Sequence, residues 1–182
     1  PEEEAFVLSA HRRVRQRWPD ALLIWAPRHP ERFKGVADQA RAQGMRVSTR
    51  SVNDWPDTSD AVFVLDTLGD LGRFYAVADI AFVGGSLQMV GGHNMLEPAI
   101  IGVPIITGPH LFNFSDISQR MRDAHAMRVV QDPAEFEAAL MQLFESPEER
   151  TRMKNAAHAL VVQGRGALDN TLEAITSFLP SP

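Results

Sequence analysis

Short apolar runs alternate along this chain with longer segments in which apolar and charged positions recur at helical spacing. Continuous apolar runs of this kind are typical of strands buried on both faces of a parallel sheet. We predict strands at residues 21–26, 45–48, 61–65, 80–83, 103–107 and 128–130. Helices are predicted at residues 2–17, 30–43, 71–77, 95–101 and 114–124, and from residue 133 onward in about three pieces broken at Pro147 and at Gly164 to Gly166. This alternation predicts an α/β fold with a Rossmann-like, doubly wound parallel sheet.

The composition is that of one ordinary globular domain. With 182 residues, 45% of them hydrophobic, we expect a single domain over residues 1–182. The absence of cysteine excludes a disulfide scaffold, a thiolate metal site and a cysteine nucleophile. A net charge of −5 argues against a nucleic-acid partner, because nucleic-acid-binding proteins usually carry a basic face. No apolar stretch approaches the roughly 20 residues that a membrane span needs, so we expect a soluble chain.

Ligands of open α/β sheets bind at the carboxyl ends of the strands, and several polar segments follow predicted strands directly. Pro27 and Arg28 come first, after the strand at 21–26. Arginine makes forked hydrogen bonds with phosphate or carboxylate oxygens and stacks on bases. The alternative is an exposed arginine that only ends a strand, and the residues alone leave both interpretations open.

Gly69, Asp70 and Leu71 follow the strand at 61–65. Gly69 lets the backbone approach a ligand, and the start of the next helix offers N–H groups to an anion. The alternative is an ordinary helix N-cap, since Asp70 is a favoured capping residue.

Two glycine pairs, at residues 84–85 and 91–92, stand between a buried strand and a short helix that we expect to begin near Asn94. Glycine pairs are costly to order unless the backbone turns sharply or meets a ligand. The segment therefore predicts a loop that binds an anion at a helix start. It has neither the lysine of a P-loop nor the G-x-G-x-x-G spacing of dinucleotide folds, which disfavours ATP hydrolysis and NAD binding.

Glu97 has two interpretations. If Asn94 is the N-cap, Glu97 falls at the third helical position, where a capping carboxylate is expected. Alternatively, Glu97 accepts hydrogen bonds from sugar hydroxyls, as acidic residues do for the ribose in dinucleotide folds.

No array of carboxylates or histidines has metal-ligand spacing, so we expect no metal and no other cofactor.

The segment at residues 82–114, FVGGSLQMVGGHNMLEPAIIGVPIITGPHLFNF, closely resembles the 3-deoxy-D-manno-octulosonic acid (Kdo) transferases of Gram-negative bacteria. Residues 26–33, APRHPERF, are similar to the P-R-H-x-E-R stretch of that family, and residues 65–86 resemble its G-D-T-M-G-E-L stretch. The resemblance covers most of residues 2–170. It implies the carboxyl-terminal, donor-binding half of a glycosyltransferase of the so-called B fold, with the amino-terminal acceptor domain outside this chain.

The resemblance also implies a reaction in lipopolysaccharide biosynthesis, the transfer of Kdo from CMP-Kdo to a lipid A precursor, with inversion and without a metal. Arg28 would contact the cytidine, Glu97 would hold the ribose hydroxyls, and Gly91, Gly92 and Asn94 would cradle the phosphate. No catalytic residue is expected in this chain, because the family keeps its glutamate base in the amino-terminal half. The residues expected to contact CMP are Pro27, Arg28, Gly69, Asp70, Leu71, Ser86, Gly91, Gly92, Asn94 and Glu97.

For the whole protein, the resemblance implies a place at the cytoplasmic face of the inner membrane. For this chain alone it implies donor binding without catalysis. Two alternatives stay open on the residues themselves. One is a half-domain of a nucleotide-sugar epimerase, which would bind a UDP-sugar instead of CMP. The other is a nucleotide-binding module without chemistry of its own.

Overall fold

The computed structural model describes the backbone of residues 2–178 and the side chains of residues 3–162. Its six strands are all parallel to their neighbours and fall into two three-stranded sheets, of order β1-β3-β2 and β4-β5-β6. The strands are β1 Leu23–Trp25, β2 Val47–Thr49, β3 Val62–Val64, β4 Ala81–Val83, β5 Ile105–Thr107 and β6 Met127–Val129. The parallel α/β architecture predicted from the apolar runs is confirmed, and its strands form two separate hydrogen-bonded sheets.

Within residues 2–178, seven helices connect and cover these strands. They are α1 Glu2–Arg17, α2 Phe33–Ala42, α3 Leu71–Tyr75, α4 Leu96–Ile101, α5 Ser115–Asp123, α6 Pro133–Glu145 and α7 Pro147–Phe178. Single 3-10 turns at Pro30–Arg32 and Phe112–Phe114 lead into α2 and α5. In the part of the chain that the structure describes, no helix is both long enough and apolar enough to cross a membrane.

The helical region after residue 133 differs from the prediction in one respect. Pro147 does separate two helices, because Ser146 before it takes an extended conformation, as a residue preceding proline must. Gly164 and Gly166 do not end a helix, and α7 continues through both of them. A helix interior tolerates a glycine at a cost of about 1 kcal/mol, so the predicted break at Gly164 to Gly166 was wrong.

Burial separates the central strand of the first sheet from its edges. All three residues of β3 are fully buried between two paired neighbours. The three residues of β1 are only partly buried. The prediction that residues 21–26 form a strand buried on both faces was therefore wrong, because β1 lies at an edge of its hydrogen-bonded set.

Helix α1 packs on elements of both sheets. Leu8 lies in a cluster with residues of α2 and β3, whereas Ala10 lies in a cluster with Ile106 of β5 and residues of α6. On the same helix, the buried His11 donates from Nε2 to the carbonyl oxygen of Ala61 over 2.8 Å. These contacts fix the middle of α1 against both sheets.

Candidate functional site

The sequence-predicted site residues lie in the loops after β1, β3 and β4 or, for Leu71 and Glu97, in the first turn of the helix that follows. Arg28, in the loop after β1, is exposed, and its charge reaches a side chain in the loop after β4. Its neighbour there is His93, a partly buried side chain. Burial lowers the pKa of His93 below its usual value, the charge of Arg28 lowers it further, and the carboxylate of Glu3 opposes both. The structure thus brings the charges of Arg28 and Glu3 within electrostatic reach of the His93 imidazole.

The loop after β3 is held by an ion pair from the loop after β2. The Asp70 carboxylate accepts a hydrogen bond from the Thr67 hydroxyl at 2.7 Å and lies 3.2 Å from the Nε atom of Arg50. The Thr67 hydrogen bond, followed by the charges of Arg50 and Arg73, lowers the pKa of Asp70. Asp70 stands at the N-cap of α3, as the alternative interpretation expected, but its side chain makes no capping hydrogen bond.

Gly69 precedes this carboxylate in a left-handed conformation, with φ of +89°. A Cβ added there would meet nothing within 4 Å, so the position needs glycine for its backbone conformation and not for space. Leu71 is the first residue of α3, and α3 packs against α4. The Asp70 carboxylate is thus engaged by Thr67 and Arg50, while Gly69 beside it is exposed.

A carboxylate occupies the first part of the loop after β4. The backbone N–H of Gly85 donates to Oε2 of Glu3 over 2.6 Å. The N–H groups of Ser86 and Leu87 donate to Oε1 of the same side chain over 3.0 and 2.8 Å. Successive backbone N–H groups that converge in this way form an anion-binding concavity. We call these three N–H groups the amide nest.

The hydroxyl of Ser86 is buried and makes two hydrogen bonds within the protein. It donates to the carbonyl oxygen of Val83 over 2.6 Å and accepts from the N–H of Gly108 over 2.7 Å. The Ser86 carbonyl oxygen in turn accepts from the N–H of His110. Ser86 therefore joins the loop after β4 to the loop after β5, and its side chain holds the site together from within.

Gly91 and Gly92 form a sharp turn that closes the same loop. Both have positive φ, +100° and +78°, and an added Cβ would lie 2.4 Å from Asn113 at the first position and 2.7 Å from Leu111 at the second. The N–H of Gly92 donates to the carbonyl oxygen of Gly85 over 2.7 Å. The Gly92 N–H therefore already has a partner within the protein, and positive φ together with tight packing explains the glycine pair.

Asn94 and Glu97 meet at the start of α4. Oδ1 of Asn94 accepts from the N–H of Leu96 over 3.0 Å, and its Nδ2 donates to Oε1 of Glu97 over 3.1 Å. The helix begins one residue later than predicted, with Met95 at the N-cap, so Glu97 is its second residue. The capping-box position assigned to Glu97 was therefore wrong. Its exposed carboxylate also faces α3, where burial and then its negative charge raise the pKa of Tyr75 to about 12.

Three residues of this site were missed by sequence reasoning or left without a role: Glu3, Arg50 and His93. Glu3 and Arg50 reach the site from distant segments, and no local pattern marks them. His93 stands inside the glycine-rich segment, but its neighbours Arg28 and Glu3 are remote in sequence. Among the residues that the structure describes, no group of three or more potential metal ligands comes together.

Known structures place this architecture in a defined class. The crystal structure of the carboxyl-terminal CMP-Kdo binding domain of WaaA from Acinetobacter baumannii matches with a TM-score of 0.73, at 27% identity, over 86% of this chain and 98% of that one. The glycosyltransferase WaaG, involved in lipopolysaccharide biosynthesis, matches in fold alone, with a TM-score of 0.58 at 15% identity over 87% of this chain and 38% of that one. The chain has the Rossmann-like fold of a domain of the B-fold glycosyltransferases.

Sequence relatives then narrow the class. The 3-deoxy-D-manno-octulosonic acid transferase of Haemophilus influenzae is 38% identical over 97% of this chain, and that of Bordetella pertussis is 38% identical over 94% of it. The chain spans about two fifths of the length of these relatives, 42% and 40%. No protein-family model matches it. The chain is a relative of the Kdo transferases, and the resemblance found in its motifs is confirmed.

Proposed function

We propose that this chain binds CMP-Kdo as the donor-binding part of a Kdo transferase. The whole protein would transfer Kdo to a lipid A precursor at the cytoplasmic face of the inner membrane. The observation that carries the proposal is the match to a CMP-Kdo binding domain over 98% of that domain. Identity of 38% with curated Kdo transferases supports the same assignment.

The proposed donor site lies between the loops after β1, β3 and β4. Arg28 is exposed and free to turn its guanidinium towards the CMP moiety, with Pro27 forming the wall beside it. The backbone of residues 69–71 lines the nucleotide, the exposed carboxylate of Glu97 accepts hydrogen bonds from the ribose hydroxyls, and the Asn94 amide lies next to it. The turn at residues 91–92 shapes the pocket between these groups.

The chemistry of the leaving group accounts for a cationic side chain at this edge. Breaking the bond between Kdo and CMP leaves negative charge on the phosphate, and fixed donors that face this charge stabilise the transition state. Arg28 supplies such a donor, and burial together with the charge of Arg28 lowers the pKa of His93, which favours its uncharged form. The base that activates the acceptor is proposed to lie outside this chain, and no metal is required in the proposed mechanism.

The chain by itself is expected to bind CMP with a dissociation constant of about 0.1 mM to several mM. Binding is weak because the contacts with one arginine, one carboxylate and a backbone wall only slightly exceed the free-energy cost of immobilising the ligand. A titration followed by amide chemical shifts measures this affinity. CMP should bind more tightly than UMP or AMP, with shift changes centred on residues 27–28, 69–71 and 91–97. Tighter binding of UMP would favour an epimerase-like module, and absence of binding by all three nucleotides would contradict the proposed function.

Replacing Arg28 with alanine is expected to weaken CMP binding about tenfold, because a charge-assisted hydrogen bond is worth about 1.5–3 kcal/mol. The matched control is Arg41→Ala, which removes an exposed arginine that pairs with Asp38 on the outer face of α2. An equal loss of affinity in the two variants would show that overall charge, and not contact at Arg28, is responsible.

Replacing Glu97 with glutamine is expected to weaken CMP binding severalfold while leaving 2′,3′-dideoxy-CMP binding unchanged, because the latter lacks the hydroxyls that the carboxylate would hold. Both ligands are titrated against the same two proteins. A lower melting temperature together with unchanged CMP affinity would instead assign Glu97 a structural role at the start of α4.

A further inference from the structure

The carboxylate of Glu3 is hydrogen-bonded to the loop after β4, beside the proposed donor site. Its two oxygens accept three hydrogen bonds from the amide nest, across 82 to 84 positions of sequence. The contact depends on a close approach, since a Cβ added to Gly84 would lie 3.1 Å from Oε2 of Glu3. Gly85 has φ of +67°, which turns successive N–H groups towards one point.

The opposite side of the same loop holds the candidate site residues. The carbonyl oxygen of Gly84 accepts from the N–H of His93 over 3.2 Å, and that of Gly85 accepts from the N–H of Gly92. The His93 ring also packs on Gly85, where a Cβ would lie 3.1 Å from Nε2. Any change in the path of residues 84–87 is therefore transmitted directly to residues 92 and 93.

Charge connects Glu3 to the site as well. Its carboxylate raises the pKa of His93, whereas Arg28 and His29 lower it, so these groups from α1 and from the loop after β1 face one imidazole. The three N–H groups of the amide nest already donate to Glu3. Because they are not available to an anionic group of a ligand, we expect that group to bind on the side of the loop where Arg28 lies.

We propose that Glu3 is a positioning residue for the donor site. Its carboxylate fills the amide nest, sets the path of residues 84–87, and through them positions His93 and the turn at residues 91–92. This role rests on the proposed function, because it assigns the phosphate of CMP to the Arg28 side of the loop. Helix α1, which carries no nucleotide contact in the proposal, then determines the shape of the nucleotide site.

Glu3→Gln tests the proposal with nearly unchanged side-chain size. Glutamine has one oxygen where the carboxylate has two, so its NH2 group faces at least one backbone N–H that has lost its acceptor. Amide hydrogen exchange at Gly85, Ser86 and Leu87 should accelerate at least tenfold in the variant. The matched control is Glu4→Gln, in the same turn of α1. This change removes a carboxylate that pairs with Arg32, and it should leave the exchange rates of those three amides unchanged.

Ligand binding supplies the second measurement. In Glu3→Gln the dissociation constant for CMP should rise about tenfold, whereas that for cytidine, which lacks the phosphate, should change less than twofold. The ratio of the two constants is insensitive to lost stability, because a smaller folded fraction weakens both ligands equally. In Glu3→Ala, added formate should enter the vacated nest, slow the exchange of the three amides and restore part of the CMP affinity.

The possible failures are distinguishable. Unchanged exchange at residues 85–87 in Glu3→Gln, or equal weakening of CMP and cytidine, would overturn the positioning role of Glu3. Absence of CMP binding by the unsubstituted chain would overturn the proposed function. If the glutamine variant does not fold, restoration by formate of the native amide spectrum in Glu3→Ala supports the role, and no response to formate overturns it.

Discussion

Replacing Gly108 with alanine is expected to lower the free energy of unfolding by about 3 kcal/mol or more. A Cβ at this position would lie 2.2 Å from the carbonyl oxygen of Ser86 and 2.4 Å from the backbone nitrogen of Leu87. Both atoms belong to the backbone of the loop after β4, so no side-chain rotation relieves the overlap. Thermal unfolding of a chain this long should show a decrease in Tm of roughly 6–12 °C.

The control for this prediction is Gly35→Ala, a change of the same size inside α2. Nothing lies within 4 Å of a Cβ there and the backbone is helical, so alanine should stabilise the chain by roughly 0.5–1 kcal/mol. The pair separates steric overlap from the general effect of alanine on the unfolded state. If Gly108→Ala melts within a degree of the unsubstituted chain, the close contact between the loops after β4 and β5 is not present in solution.

Acidification is expected to remove about 3 kcal/mol of stability through one side chain, His11. Burial lowers the pKa of this imidazole from 6.5 to about 4, and Arg15 adds to the effect. Between these two values the unfolded chain binds a proton at His11 and the folded chain does not, so stability falls as pH falls from 6.5 towards 4. A shift of this size corresponds to about 3 kcal/mol.

Urea unfolding at a series of pH values measures this effect, and His11→Gln isolates it. Glutamine retains an N–H donor for the carbonyl oxygen of Ala61 but has no titrating group, so the decline between pH 6.5 and 4 should become shallower by about that amount. His93, whose pKa is also lowered, acts in the same direction in both proteins. A decline that is equally steep with and without His11 would assign the acid sensitivity to other groups.

The elements of the fold could be predicted from local patterns. The apolar run at residues 61–65 was expected to be a buried strand, and β3 lies there as the central strand of its sheet. Helices α1, α2, α5 and α6 also begin and end close to their predicted bounds. Such features depend on the periodicity of neighbouring side chains, which the sequence contains in full. The continuation of α7 through Gly164 and Gly166 could not be predicted in this way, because glycine is typical of helix ends yet lowers the stability of a helix interior only slightly.

The candidate site was predictable as positions but not as contacts. Arg28, the segment at residues 69–71 and the segment at residues 91–97 were all expected at strand ends, and the structure places them there. The hydrogen-bond partners of these residues were not predicted. Gly91, Gly92 and Asn94 were expected to cradle a phosphate. The structure shows that the Gly92 N–H donates to the carbonyl oxygen of Gly85, and that a separate nest at residues 85–87 holds the carboxylate of Glu3.

By itself, then, the sequence determined the alternation of strands and helices, the absence of thiol chemistry and the edge of the sheets at which polar residues gather. The tertiary structure decided that β1 is an edge strand, that Asp70 pairs with Arg50 and that Glu3 fills the amide nest. The physical reason is the range of the forces involved. Apolar periodicity acts between residues a few positions apart, whereas a backbone N–H group is satisfied by whichever acceptor the packing of remote segments brings within about 3 Å.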